Sequence, residues 1–224
     1  MKQVIDGLVQ FNQAIKKARL TDGTFTLQGY TITDVNLGDI TITGGEFVDC
    51  TFYGNDLADG GFTRTAFTEC RFEFLGATDA EMRENDFKDC YFRGLDALRA
   101  DFTGSQFEGC TLQTTMFINT NLENTMFFDC ELYGATMTLA NLKKAGFIKC
   151  NFRNSSATYA NFTMTNLTDS NLSGLSWCGS VLSNTPLGTV YLMPTGRGLV
   201  VDALGKHLTL DEFAELTFKE EPAK

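Results

Sequence analysis

The chain has 224 residues, a net charge of −10 and 43% hydrophobic residues, enough length and apolar content for one packed domain or two. It holds one histidine, which excludes histidine-rich metal and catalytic centres. The acidic excess argues against direct binding to nucleic acid, whose own backbone is anionic.

Residues 1–24 read as an N-terminal cap. Val4, Leu8, Phe11 and Ile15 stand at helical spacing and predict an apolar stripe on a short helix over residues 2–18. No basic start followed by an apolar run marks a secretory leader, and no apolar segment approaches membrane-spanning length. The expected compartment is the cytoplasm, with no membrane partner.

From residue 25 to 193 the chain repeats. Cys50, Cys70, Cys90, Cys110, Cys130 and Cys150 stand twenty residues apart, each followed two residues later by Phe or Leu. Every fifth residue from Leu27 to Leu192 is apolar, thirty-four positions without an insertion, and fourteen of the twenty phenylalanines fall among them. A period of five fits neither a helix nor a flat strand. It fits a solenoid whose units bury their apolar faces by stacking.

The residue two before each centre is mostly small, as a site beside a bulky inward group must be; where Leu75 and Leu95 fill it, the centres shrink to Ala77 and Ala97. Cysteine suits this slot as a small apolar side chain, and disulfides are not expected. The residue two after each centre is often glycine or asparagine, which predicts type II corners with positive φ. Phe74, Leu139, Tyr159 and Met164 occupy the same slot and predict corners of another kind. Four corners per twenty residues give a square cross-section.

Residues 194–224 read as a strand plus a helix. Gly198–Asp202 predicts a short strand, and Thr209 to Glu212 has the form of a capping box opening a helix through about Phe218. This segment serves as an end cap or as an element for pairing two copies. Pro186 and Pro194 lack the N–H that a ladder needs.

Ala100-Asp101-Phe102, Ala140-Asn141-Leu142, Ala160-Asn161-Phe162, Thr165-Asn166-Leu167 and Ser170-Asn171-Leu172 resemble the A(D/N)LXX signature of the pentapeptide repeat proteins. The resemblance implies an all-β fold, a right-handed quadrilateral β-helix. Here it would have about eight coils stacked at about the 4.8 Å strand spacing, with short helical caps at both ends. It also implies dimerisation through a C-terminal segment.

No nucleophile–histidine pair, phosphate-binding glycine loop or metal-ligand cluster stands in the sequence. No catalytic residue, cofactor or metal is expected, and the chain does not read as an enzyme. What remains is surface. Between residues 27 and 110 there are sixteen acids and six bases; between 111 and 192 there are four of each. At strand spacing the acidic half spans roughly 20 Å, about one net charge per 2 Å, against one per about 1.7 Å in duplex DNA.

Asp49, Glu69 and Asp89 recur in one column, and Asp39, Asp59 and Asp79 in a column on the opposite side. These six are the candidate partner-binding residues. The chain looks like the gyrase-binding, quinolone-blunting pentapeptide proteins in size and charge, although it lacks the projecting loops of one branch. The resemblance implies a DNA mimic that binds DNA gyrase. The alternative is a structural rod that docks another protein through Leu98, Ile118, Phe128, Ile148, Phe74, Leu139 and Met164.

Overall fold

The apolar ladder forms the interior of a parallel β-solenoid in the computed structural model. Residues 3–182, 185, 190–191, 200–201, 207–208 and 218–219 are described. Every centre from Leu27 to Trp177 is buried, at 9% exposure or less. Leu75 with Ala77 and Leu95 with Ala97 fill the interior as their paired volumes require.

Four faces share one step. On the first, Thr26, Glu46, Ala66, Asp86, Gln106, Met126, Gly146 and Asn166 follow one another in parallel register, each twenty residues from the last. The second face carries Ile32, Phe52, Phe72 and Phe92 in the same way. The third is built mainly from single bridges such as Asn36–Asp56, and the fourth starts with paired strands at Thr41–Thr43 and Gly61–Thr63. Each coil bonds to both neighbours: Leu57 N–H donates to the Gly76 carbonyl at 2.7 Å, and Asp56 N–H to that of Val35 at 2.9 Å.

Phenylalanines stack along the columns of the first and second faces because the coil rise matches the spacing of an offset ring pair. Phe47, Phe67, Phe87, Phe107, Phe127 and Phe147 lie 4.6–5.2 Å apart with interplanar angles of 4–12°. Rings of adjacent columns meet edge-on, as Phe47 does Phe52 at 5.2 Å and 69°. Each such contact adds about 0.5–1.5 kcal/mol beyond burial.

The N-terminal end departs from the expected helix over residues 2–18. Gln3–Asp6 is a strand that pairs in parallel with Tyr30–Thr33, and the helix is confined to Gly7–Ala18. Val4 is therefore exposed, while its neighbour Ile5 is buried. Gly7, at φ 75°, turns the chain from strand into helix, a conformation that glycine reaches without a Cβ clash. Phe11 and Ile15 are buried as their spacing required. Phe11 stacks on Phe47 at 6.1 Å and 11°, extending the ring column from outside the coils. No described helix is long and apolar enough to cross a membrane.

At the other end, Val200–Val201 is a strand, as read from the sequence, paired antiparallel with His207–Leu208. The helix expected from Thr209 falls on residues 209–217, outside the described residues. Phe218, expected near its end, is in a strand with Lys219, parallel to Val190–Tyr191. Pro186 and Pro194 also lie outside the described residues.

The corners overturn one expectation. Among the described residues, twenty-one non-glycine residues have positive φ, and each stands two after a centre. Phe74 (57°), Leu139 (62°), Tyr159 (57°) and Met164 (60°) are among them, so bulky residues adopt the same left-handed corner as glycine. Inter-coil hydrogen bonds hold them there: Leu139 N–H donates to the Thr158 carbonyl at 3.0 Å and Phe74 N–H to that of Arg93 at 2.7 Å. The conformation costs a non-glycine residue about 1–2 kcal/mol, which the ladder offsets.

The cysteine slot also does more than fill space. Where a corner is tight, the N–H two before the next centre closes on the preceding centre's carbonyl, as Ala140 does on Met137 at 3.1 Å. After Phe47, Phe67, Phe87 and Phe107 the carbonyl instead accepts the thiol of Cys70, Cys90, Cys110 and Cys130, twenty-three residues on, at 3.3 Å. Asn55 serves both groups of one corner, donating Nδ2 to the Ile32 carbonyl and accepting from Val35 N–H, each at 2.9 Å. Ser170 does likewise for Phe147 and Cys150 at 2.9 and 3.0 Å. All seven cysteines are free thiols, and burial pushes that of Cys150 well above its ordinary value.

Two outcomes follow. Met164→Gly is expected to stabilise the protein by about 1 kcal/mol, measured by urea unfolding; a loss of stability would mean that the corner is unstrained. Cys90→Ala is expected to cost about 1 kcal/mol, the typical net value of a buried hydrogen bond, and Cys90→Ser less, since Ser170 holds the same slot. Equal losses for the two variants would show that the thiol donates nothing.

Candidate functional site

The six candidate residues stand at corners, all exposed. Asp49, Glu69 and Asp89 occupy the corner between the first and second faces, one coil apart, with Asp129 two coils on beyond Gly109. Asp59 and Asp79 occupy the diagonally opposite corner, between the third and fourth faces, in the same left-handed conformation. Asp39 stands in that column by number, but there Gly38 takes the positive φ, at 47°, so its corner is built differently. The fold brings the residues into two separate rows and not into one cluster.

Aspartate suits these corners because its short polar side chain tolerates the left-handed region. Apart from Asp39, these positions project from the turn in the same way coil after coil, with a regular rise of about 4.8 Å. Two rows together present one carboxylate per about 2.4 Å of axis, set against about 1.7 Å per charge in duplex DNA.

The remaining acids of this half separate by what their carboxylates hold. Asp56, Asp96 and Asp101 stand one before a centre and accept from the N–H two residues on, at 3.0, 3.2 and 3.0 Å. They brace their own corners. Glu73 pairs with Arg71 at 3.0 Å, Glu81 with Arg83 at 3.2 Å and Glu108 with Lys88 at 3.2 Å. Asp79 is gripped by Arg99 at 2.7 and 2.6 Å, and that hydrogen-bonded guanidinium holds its carboxyl below the usual range. Asp79 thus closes its row with a neutral pair.

Sequence reasoning missed this division. At a tight corner, Asp or Asn one before a centre turns its carboxylate or amide back onto its own turn, as Asn121, Asn141, Asn161, Asn166 and Asn171 do later in the chain. The apolar candidates lie elsewhere. Leu98 and Ile118 are half-buried on the third face, where Met116 is 40% exposed; Leu139 is 55% exposed at the corner after that face, joined there by Tyr159, and Met164 is 50% exposed at the corner before the first face. Met126 and Phe128 are exposed on the first face, beside half-buried Ile148. Phe74 is partly covered by Tyr53, edge-on at 5.8 Å, and by the Arg93 guanidinium at 5.4 Å.

Two family models match the chain: the pentapeptide repeat region over residues 100–177 and pentapeptide repeats (8 copies) over residues 78–113. No curated protein matches. Among solved structures the chain is similar to full-length QnrB1, a plasmid-mediated fluoroquinolone resistance protein. The two are 17% identical over 78% of this chain and 79% of that one, with a TM-score of 0.45. It is also similar to HetL, a pentapeptide repeat protein involved in heterocyst differentiation regulation from the cyanobacterium Nostoc sp. strain PCC 7120. That match is 12% identical over 90% and 99% of the respective chains, with a TM-score of 0.24. Rfr23, a pentapeptide repeat protein from the cyanobacterium Cyanothece 51142, is 17% identical over 71% and 90%, with a TM-score of 0.24.

Proposed function

We propose that this chain, a pentapeptide repeat protein, works without catalysis as an acidic rod that occupies the DNA-binding groove of a protein partner, DNA gyrase being the leading candidate. The observation that carries this reading is the pair of exposed carboxylate rows at coil spacing, Asp49–Glu69–Asp89 on one corner and Asp39–Asp59 on the opposite one. A groove built to bind duplex DNA reads regularly spaced negative charge through lysine and arginine, largely without regard to sequence. A rigid rod meets that requirement with little ordering cost on binding. The same reading places the protein in the cytoplasm, with its cysteines kept as thiols.

A second reading is favoured by one feature of the third face. Leu98 and Ile118 share one column of this face, and Leu139 and Tyr159 follow further along the rod in the corner column beside it, so the apolar strip steps across two adjacent columns. Such a strip suits docking against another protein surface, independent of any topoisomerase.

Purified protein is expected to inhibit gyrase supercoiling, or to shield gyrase from a quinolone. Changing Asp39, Asp49, Asp59, Asp79 and Asp89 to Asn together with Glu69→Gln is expected to weaken that effect by at least about tenfold. Activity that survives the six changes, or no effect at micromolar protein, would remove the mimicry reading. If Leu139→Lys with Tyr159→Lys abolishes the effect while the acidic variants retain it, the apolar strip is the contact.

A further inference from the structure

We infer that two copies of this chain associate side by side, antiparallel, through the first face. The inference is argued from charges and apolar groups on and beside that face; it shares Asp89 with the proposed groove contact but does not depend on that reading. Along the corner before this face stand Glu84 and, three coils later, Lys144. Along the corner after it stand Asp89 and, again three coils later, Lys149. All four are exposed and share the left-handed corner, with φ of 57°, 57°, 52° and 57° respectively. They therefore leave the turn in the same manner.

Three coils put about 14 Å between the acidic and basic members of each pair. That exceeds the Debye length of about 8 Å at physiological salt, so the two ends do little to neutralise each other within one chain. A two-fold axis perpendicular to the rod, midway between the coils of Phe107 and Phe127, brings Glu84 opposite the second copy's Lys144. The same axis brings Asp89 opposite its Lys149. Two independent corners give one centre, and a symmetric antiparallel pair needs that coincidence.

The surface between the charged rows is the apolar part of this face. Met126 and Phe128 are 39% and 44% exposed and border a surface groove of about 360 Å³ that runs over Asp86, Lys88, Gln106 and Glu108. Lys149 Nζ lies 5.5 Å from the Phe128 ring centroid, so the basic and apolar elements form one patch. About the same axis, each copy's Met126 and Phe128 face the other's Gln106 and Glu108 and enter its groove. Like charges also meet in this arrangement: Glu69 lies against Asp169, and Asp129, one coil from Lys149 on the same corner, lies one coil from the second copy's Asp89, all of them exposed. One narrow face buries less than the roughly 800 Å² per partner of a standard interface, so the dimer is weak and salt-sensitive.

Sedimentation velocity on the full chain tests this. The wild type is expected to dimerise at about 100 µM in low salt and to dissociate near 0.5 M salt, where the Debye length falls to a few ångströms. Lys144→Glu with Lys149→Glu, or Glu84→Lys with Asp89→Lys, is expected to weaken self-association by at least about tenfold. Mixing the two variants is expected to restore a dimer, which also shows that both are folded. Asp169→Asn is expected to tighten the wild-type dimer several-fold. A wild type that stays monomeric, a dimer that both double variants retain, or variants that do not pair when mixed would overturn the inference. A dimer lost only on truncation after Leu192 would place the contact in the C-terminal segment instead.

Discussion

The rise of one coil equals the spacing of hydrogen-bonded strands, and the rest of the molecule depends on that equality. It lets each peptide bond to the coils above and below, and it sets every side chain against the one twenty residues away. Phenylalanine exploits this fully, because a ring pair stacks at the same distance: the Phe87, Phe107 and Phe127 rings are separated by 4.6 Å. Amides exploit it as well, with Asn141 Nδ2 donating to Asn121 Oδ1 at 3.0 Å on the fourth face. The same geometry forces like charges into rows, so the acidic columns are held together by the backbone against their mutual repulsion.

The solenoid was legible because its signal is redundant. Thirty-one consecutive centres from Leu27 to Trp177 repeat a single instruction, and no local preference outweighs it. The N-terminus was less legible because its instruction occurs once. Val4, Phe11 and Ile15 fit a helical stripe, but strand pairing with Tyr30–Thr33 captures residues 3–6, since the first coil otherwise leaves an open edge. Spacing within the segment carries no record of that edge.

The corners and the cysteine slot were misread for a related reason. Propensity rules price each residue alone, and on that basis Leu139 or Tyr159 resists a left-handed turn. In the folded chain the turn is bonded to the coil beyond it, and the collective ladder overrides the single preference. Likewise the thiol of Cys90 matters because the Phe67 corner leaves a carbonyl open one coil earlier, a need that arises from a residue twenty-three positions away. Part of the candidate site was legible in the same measure. The rows of exposed carboxylates follow from the period, whereas the loss of Asp79 to Arg99 and of Asp56, Asp96 and Asp101 to their own turns appears only when side-chain partners are in place.

The backbone accounts for some of these charges and not for others, and that difference is what the proposed contacts draw on. Aspartate is at home in a left-handed corner, so Asp49, Asp59 and Asp89 satisfy the fold whatever else they do. Glu69, Glu84, Lys144 and Lys149 have no such affinity for the conformation, yet they occupy it at φ of 54–57°. Glycine or asparagine would serve the turn better at each of these positions, as Gly104 and Asn124 do on the corner shared by Glu84 and Lys144. The fold gains nothing from a long charged side chain there. Solubility explains charge of either sign scattered over the surface, but not an acidic excess gathered in one half of the rod beside a half with no net charge. Recognition of another surface, whether a cationic groove or the opposite half of a second copy, requires that separation, because only segregated charge gives a rod a direction in which to bind.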